Sequence, residues 1–270
     1  MFQNSRMKQT IGKTIREVDW HLRFLFSRNL QKGELANFFQ HLHVCKNINS
    51  VLKSESEVEA SISNLRLLKL YPRKDKPKNW DAYRAFSLVL RFGNRTSRIL
   101  DVGSRYGVLL PWLSLYGFTK LYGCDISYEK DFYDGKILHK KQNLECTDFD
   151  SNYFDFITSL SVVEHGVDLN RYFLEMHRIL KPKGFLLTST DYWPDPIDTK
   201  GLYPYGRKFG EMKIFSRPEI EQMISIANGH NLSLYEAVNF TYQDKVVNWD
   251  RLDRKFTFIF LAMQKDESKN

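Results

Sequence analysis

From about residue 98 onward, short continuous apolar runs alternate with longer stretches whose apolar positions recur every three or four residues. The first pattern reads as buried strands, the second as helices with one face on a core. Residues 99–102, ILDV, form such a run and stop at Gly103. Residues 108–115 are apolar enough for a helix buried on most sides. Pro111 falls in its first turn, where a missing N–H is not needed. Residues 121–124 are a second strand ending at Asp125, and strand, glycine turn, helix, strand and terminal acid make a βαβ unit. The pattern then predicts strands over 136–142, 154–160 and 185–189, with a helix from 170 to 180 that stops at Lys181-Pro182-Lys183-Gly184. Ser216 and Glu219 have the spacing of a capping box, with Pro218 in the first turn of the helix they start. Residues 232–240 and 256–264 read as two closing strands joined by a polar stretch.

The first 75 residues follow a different rhythm. Ile11, Ile15, Val18, Leu22 and Leu25, widened by Trp20, Phe24 and Phe26, give a basic helix with an apolar stripe over residues 7–30. Such a helix docks on its own domain or a second subunit, or makes peripheral contact with a membrane surface. The docked reading is the more ordinary one. Further helices are expected over 35–44 and 56–71, and YPRKDKPK at 71–78 is a proline-broken basic linker. Residues 79–92 read as a helix capped by Asn79. The expected division is therefore a helical extension over 1–75 and an α/β domain over 76–270.

Composition narrows the class. A chain of 270 residues that is 42% hydrophobic suits one α/β domain with an extension. Its formal net charge of +8 permits contact with nucleic acid or an anionic surface without requiring either. Cys45, Cys124 and Cys146 form no disulfide framework and no zinc spacing, so a reducing, cytoplasmic setting is the default expectation. Residues 1–20 lack a signal-peptide core, and no apolar run approaches the roughly 20 residues of a membrane span. His41 and His43, two apart, share no helix face, and no metal site is expected.

The candidate chemistry gathers in the βαβ unit. Gly103 and Gly107 let backbone approach a ligand, and the helix start after them offers free N–H groups to an anion. Asp101 ends the first strand, where it can order the turn or meet an ammonium group. Asp125, 22 residues after Gly103, is placed to accept ribose hydroxyls. The spacing is Asp-x-Gly-x-x-x-Gly. Arg105 stands where a dinucleotide fingerprint would have its second glycine.

Four segments in order, LDVGSRYG, FDFITS, VVEHG and HRILKPKG, carry a resemblance over about residues 98–192. The chain resembles the class I S-adenosylmethionine-dependent methyltransferases, whose motifs are LDVGxGxG, an FDxI/V strand, a VLEH-like segment and RxLKPxG. The resemblance implies a seven-stranded, mostly parallel Rossmann-like sheet with an antiparallel last strand and helices on both faces. It implies S-adenosylmethionine as cofactor, held by Asp101, Gly103, Ser104 and Gly107 at the first turn and by Asp125 and Ile126 after the second strand. Asn143 and Leu144 would flank adenine, with Leu160 at the end of the fourth strand. Asparagine stands where the family usually has aspartate but keeps an acceptor oxygen. His165 and Glu164 are the candidate general bases, although the family's EH pair is often structural and alignment alone supplies much of the rate.

The segment TDYWPDPIDTKGLYPYGRKFG at 190–210 is long, aromatic and acidic, so Asp191, Tyr192, Trp193 and Tyr203 are candidates for binding the acceptor. The expected acceptor is a small molecule or glycan precursor, methylated on a hydroxyl oxygen. Loops of this composition resemble those of bacterial methyltransferases linked to surface-polysaccharide synthesis. Two other readings stay open. A nucleic-acid methyltransferase would suit the charge, but SVVEHG replaces the base-gripping Asn/Asp-Pro-Pro-aromatic motif. A non-catalytic scaffold with the same fold would suit Arg105.

Overall fold

The computed structural model describes residues 47–204, 206–207, 210–249 and 253–267. The helices expected over 7–30 and 35–44, with the membrane-contact reading, lie outside the described residues. In chain order the elements are β1 Ser50–Val51, α1 Glu55–Leu67, α2 Lys78–Phe92, β2 Arg98–Val102, α3 Leu109–Leu115, β3 Lys120–Cys124, β4 Phe132–Asp134, β5 Ile137–Lys140 and β6 Phe154–Leu160. They continue with α4 Leu169–Ile179, β7 Leu180–Tyr192, α5 Arg217–Gly229, β8 Leu232–Leu234, β9 Val247–Trp249 and β10 Arg254–Lys265.

One sheet runs in the order β1-β10-β7-β6-β2-β3-β5-β4, with β8 and β9 also on β10. Five central strands are parallel, β5-β3-β2-β6-β7. β10 returns antiparallel along β7 from Thr257 opposite Tyr192 to Gln264 opposite Phe185. The seven expected strands are all present. Three more, β1, β4 and β9, bring the described sheet to ten. They are two or three residues long, too short for their own apolar pattern to mark them.

Alternation along β10 shows how the sheet makes two cores. Phe256, Phe258, Phe260 and Ala262 face one side, with Val58 and Leu65 of α1, Phe86 of α2 and Leu113 of α3. Ile259, Leu261 and Met263 face the other, with Phe173 and Met176 of α4 and Ile220 of α5. Helices thus cover both faces. α1 shares its core with α2, so the boundary expected near residue 75 falls inside one continuous hydrophobic cluster. Ser50 and Val51, placed by the sequence in the helical extension, pair as an edge strand with Phe260 and Ile259.

Two local expectations need correction. Lys181–Gly184 does not precede the fifth strand but bulges within it. Leu180 pairs with Phe154 and Phe185 with Phe156, and the extra residues loop out opposite Asp155. Asp155 anchors the bulge by accepting from Lys181 Nζ at 2.6 Å, while its other oxygen accepts from the Arg98 amide at 2.7 Å. Asn79 is not a helix cap, because α2 already begins at Lys78. Its buried side chain instead clasps the preceding loop. The capping box of α5 forms as the spacing predicts, with Glu219 accepting from the Ser216 amide at 2.8 Å.

Candidate functional site

β2 is the first strand of the parallel set, and the chain places β3 on one side of it and β6 on the other. At such a reversal the loops after neighbouring strands diverge, and a crevice opens beyond the strands' carboxyl ends. A cavity of about 720 Å³ lies there, within the roughly 300–1,000 Å³ of ligand pockets. It is lined by the ends of β2, β3 and β6, by the segments 142–145, 160–162 and 165–167, and by Arg73, Lys78, Ala82, Arg207 and Gly210.

The glycine turn is fitted to this crevice. Gly103 has φ +69°, and a Cβ there would lie 2.6 Å from Val162 Cγ2, so the loops after β2 and β6 approach too closely for any side chain. A Cβ on Gly107 would lie 2.6 Å from Asp101 Oδ2, so this glycine lets the turn fold over the carboxylate. Between them Ser104–Tyr106 forms a single 3₁₀ turn, and α3 follows at Leu109. Asp101 accepts from Thr158 Oγ1 at 2.7 Å, and burial pushes its pKa up to about 7.

Ser104 differs from the other residues assigned to the cofactor. It is buried and points away from the cavity: its Oγ lies 3.1 Å from the Tyr128 hydroxyl, which is 3.1 Å from His139 Nδ1. It braces the turn against β3 and β5, and Gly123 leaves the room for it. Arg105 is exposed at the cavity rim. Its amide donates to Asp125 Oδ2 at 3.3 Å and its guanidinium to the Ser127 carbonyl at 2.9 Å. The arginine in place of the family's middle glycine therefore ties the turn to the acidic loop.

Asp125 Oδ1 accepts the Ser127 amide at 2.7 Å and the Ser127 hydroxyl, which holds the carboxylate at the rim. Ile126 lines the cavity although it is 57% exposed, an aliphatic side chain left open on a ligand-sized space. Asn143 Oδ1 accepts the Glu145 amide at 3.0 Å, which leaves that oxygen one further lone pair. Asp101, Gly103, Gly107, Asp125, Ile126, Asn143, Leu144 and Leu160 all line the one cavity. Two glycines that side chains would block, a rim carboxylate and an open aliphatic face fit a nucleoside-bearing cofactor.

His165 lines the same cavity. Its burial lowers its pKa, and Lys78 adds to this while the Glu164 charge opposes it. Glu164 itself does not reach the cavity. It is 1% exposed, accepts from Thr190 Oγ1 at 3.0 Å through Oε2, and its Oε1 has no hydrogen-bond partner among the described residues. Asp191 lies in the same buried region at the end of β7. Burial, and then the Glu164 charge, raise its pKa well above the ordinary carboxylate range. Glu164 thus lies in the core on Thr190, and its charge acts on His165 from there.

The residues assigned to the acceptor are placed elsewhere. Asp191 and Tyr192 are buried in β7. Trp193 packs against Tyr242 at 4.9 Å with Lys245 Nζ 4.5 Å from its ring. Tyr203 is exposed, with the Arg207 guanidinium 5.7 Å from its ring. None of the four lines the cavity, and the segment 190–210 reaches it through Arg207 and Gly210. Arg73 and Lys78 were missed as site residues. Their only sequence signal was the basic run YPRKDKPK, whose charge suits a phosphate but which reads more safely as a surface loop. Among the described residues no group of three or more His, Cys, Asp or Glu side chains is arranged to hold a metal ion, and no helix is long and apolar enough to cross a membrane.

A family model described as a methyltransferase domain matches residues 77–234. A search of curated proteins finds no match. Among solved structures, the chain is similar to the Burkholderia thailandensis 1,6-didemethyltoxoflavin-N1-methyltransferase bound to 1,6-didemethyltoxoflavin and S-adenosylhomocysteine. The identity is 13% and the TM-score 0.52, over 78% of this chain and 87% of that one. A Haemonchus contortus phosphoethanolamine N-methyltransferase 2 shares 17% identity at TM-score 0.51, over 77% of this chain and 58% of that one. A protein from Galdieria sulphuraria described as a sarcosine dimethylglycine methyltransferase shares 16% identity at TM-score 0.50, over 87% and 99%. At these identities the likeness is one of fold.

Proposed function

Because the chain belongs to the methyltransferase domain family, we propose that it moves a methyl group from S-adenosylmethionine to a hydroxyl oxygen of a small-molecule acceptor, a free metabolite or a sugar unit of a glycan precursor. One observation carries this reading: Gly103, Gly107, Asp125, Ile126 and Leu144 line a single cavity together with His165. The cofactor supplies, when bound, a methyl group made electrophilic by its sulfonium. Asp125 Oδ2, which accepts only the long Arg105 amide bond, is the acceptor offered to ribose hydroxyls, and Asn143 offers its remaining lone pair to the adenine edge. Leu160, Val162 and Ala82 give the cavity an apolar part of its lining, which keeps water from the transfer line. His165, held neutral by burial, takes up the proton that the acceptor hydroxyl loses as it becomes an ether. Glu164, buried in the core, is a positioning residue.

The test is calorimetric titration of the full chain with S-adenosylmethionine and with S-adenosylhomocysteine, repeated with Asp125→Ala. Micromolar binding that weakens by about tenfold or more in the variant supports the cofactor site. If the intact chain binds neither compound, the enzyme reading is wrong.

A further inference from the structure

The cofactor reading assigns no task to three cations of the cavity lining. Arg73, Lys78 and Arg207 all line the cavity, and the Arg73 charge acts on Asp101. Among the described residues none of the three forms an ion pair. Lys78 Nζ lies 4.4 Å from the centre of the Phe258 ring, a contact that leaves donors for a further partner.

Arg73 is held in place by a built feature. Asn79, which has no exposed surface, accepts from the Arg73 amide at 2.6 Å and donates to the carbonyls of Arg73 at 3.1 Å, Asp75 at 3.3 Å and Lys76 at 2.9 Å. A single buried side chain thus grips Arg73 on both sides of its Cα. A loop needed only as a spacer does not require such a clasp, and its result is that a half-buried arginine faces the cavity.

The charge balance points the same way. Arg73, Lys78, Arg105 and Arg207 are four lining cations against three lining acids, Asp101, Asp125 and Glu145. Burial keeps Asp101 partly protonated near neutral pH. It also raises the pKa values of Asp81 and Asp191 beside Lys78, so these acids offset the lysine poorly. S-adenosylmethionine adds a net positive charge. A neutral acceptor leaves the excess uncompensated in a partly desolvated space, whereas an anionic one neutralises it.

We propose, resting on the cofactor reading above, that the acceptor carries a phosphate or carboxylate group and that Arg73 and Lys78, with Arg207 at the rim, bind it. The bound oxyanion sits beside Lys78 and offsets its charge, a lesser addition to the burial that makes His165 less basic.

The experiment uses the full chain saturated with S-adenosylhomocysteine, whose own dissociation constant is measured first for every variant. Inorganic phosphate and acetate are then titrated separately at constant ionic strength, with the unfolding temperature as readout. The expected result is saturable stabilisation of the wild type by one or both ions. Arg73→Gln/Lys78→Met weakens it by about tenfold or more. The charge-preserving Arg73→Lys/Lys78→Arg retains it, as does Lys74→Gln, on an exposed residue of the same loop outside the cavity lining. A response to phosphate alone or acetate alone identifies which oxyanion the acceptor bears. Equal stabilisation of wild type and Arg73→Gln/Lys78→Met, or no response from a wild type that binds S-adenosylhomocysteine, overturns the inference. So does a matching loss of S-adenosylhomocysteine affinity in the double variant, because the cations then serve the cofactor's own carboxylate. Absence of S-adenosylhomocysteine binding to the wild type refutes the cofactor reading instead, and this inference falls with it.

Discussion

Gly103→Ala puts one methyl group at the junction of the two loops that form the crevice. The backbone has φ +69°, a left-handed conformation that costs an L-residue about 1–2 kcal/mol. The new Cβ would lie 2.6 Å from Val162 Cγ2, against the roughly 3.5–4.0 Å at which carbon atoms pack without repulsion. Val162 is half-buried, so it can give way in part, and overpacking of this kind costs about 1–3 kcal/mol. The two effects together predict a loss of about 2–5 kcal/mol in urea unfolding. They also predict weaker S-adenosylhomocysteine binding in calorimetry, because relief of the contact moves the loop after β6. The steric part can be isolated. The Cβ of Val162 would be 3.5 Å from the new methyl, an ordinary contact, so Val162→Ala in the Gly103→Ala background should recover the overpacking cost and leave the backbone cost. If Gly103→Ala costs less than about 1 kcal/mol, or Val162→Ala recovers nothing, the two loops do not meet as described and the crevice is not built on that glycine.

Asp101→Asn should alter the pH dependence of stability. With its pKa raised to about 7 by burial, folded Asp101 keeps a proton between about pH 4 and 7 that the unfolded chain has lost. Its contribution is therefore complete below about pH 4 and is lost as pH rises toward 7, by a ceiling of about 4 kcal/mol. Urea midpoints of wild type and Asp101→Asn should diverge with rising pH in favour of the variant, and parallel curves would contradict the assignment. His165→Gln should lower kcat by about 10²–10⁴-fold with a much smaller change in cofactor affinity, measured by methyl transfer once an acceptor is in hand. The acid limb of the wild-type rate profile should lie below the ordinary histidine range, because burial disfavours the charged ring. An unchanged kcat would assign the catalysis to alignment alone. Asn79→Ala removes the clasp on the loop 73–76 and should cost about 1–3 kcal/mol, with faster proteolysis within that loop. A loop as protease-resistant as in the wild type would show that other contacts hold it.

How far each element could be read depended on whether its cause was local. β2 and β3 were legible because each is a short, mostly apolar run closed by a glycine or an acid. β1, β4 and β9 were not, since two or three residues carry no period of their own and depend on neighbours that long-range packing supplies. Asn79 looked like a cap because it precedes an apolar period. Only the path of the loop before it reveals that its side chain turns back onto Arg73. Glu164 and His165 are adjacent in sequence and read as a pair, yet the backbone turns one into the core and the other into the cavity.

The amino-acid order by itself determined the βαβ unit, the glycines at 103 and 107, the acid at 125 and the family these imply, because strand period, tight turns and strand-end acids are written within short windows. Tertiary structure alone decided that the Ser104 side chain braces the turn, that Arg105 ties the turn to the acidic loop, and that Trp193 after β7 packs on Tyr242. It alone brought Arg73, Lys78 and Arg207 to one cavity with His165. Those residues come from separate segments of the chain, and their convergence depends on how the helices and the β6 and β7 loops close over the sheet. No periodicity along the chain records a distance of that kind.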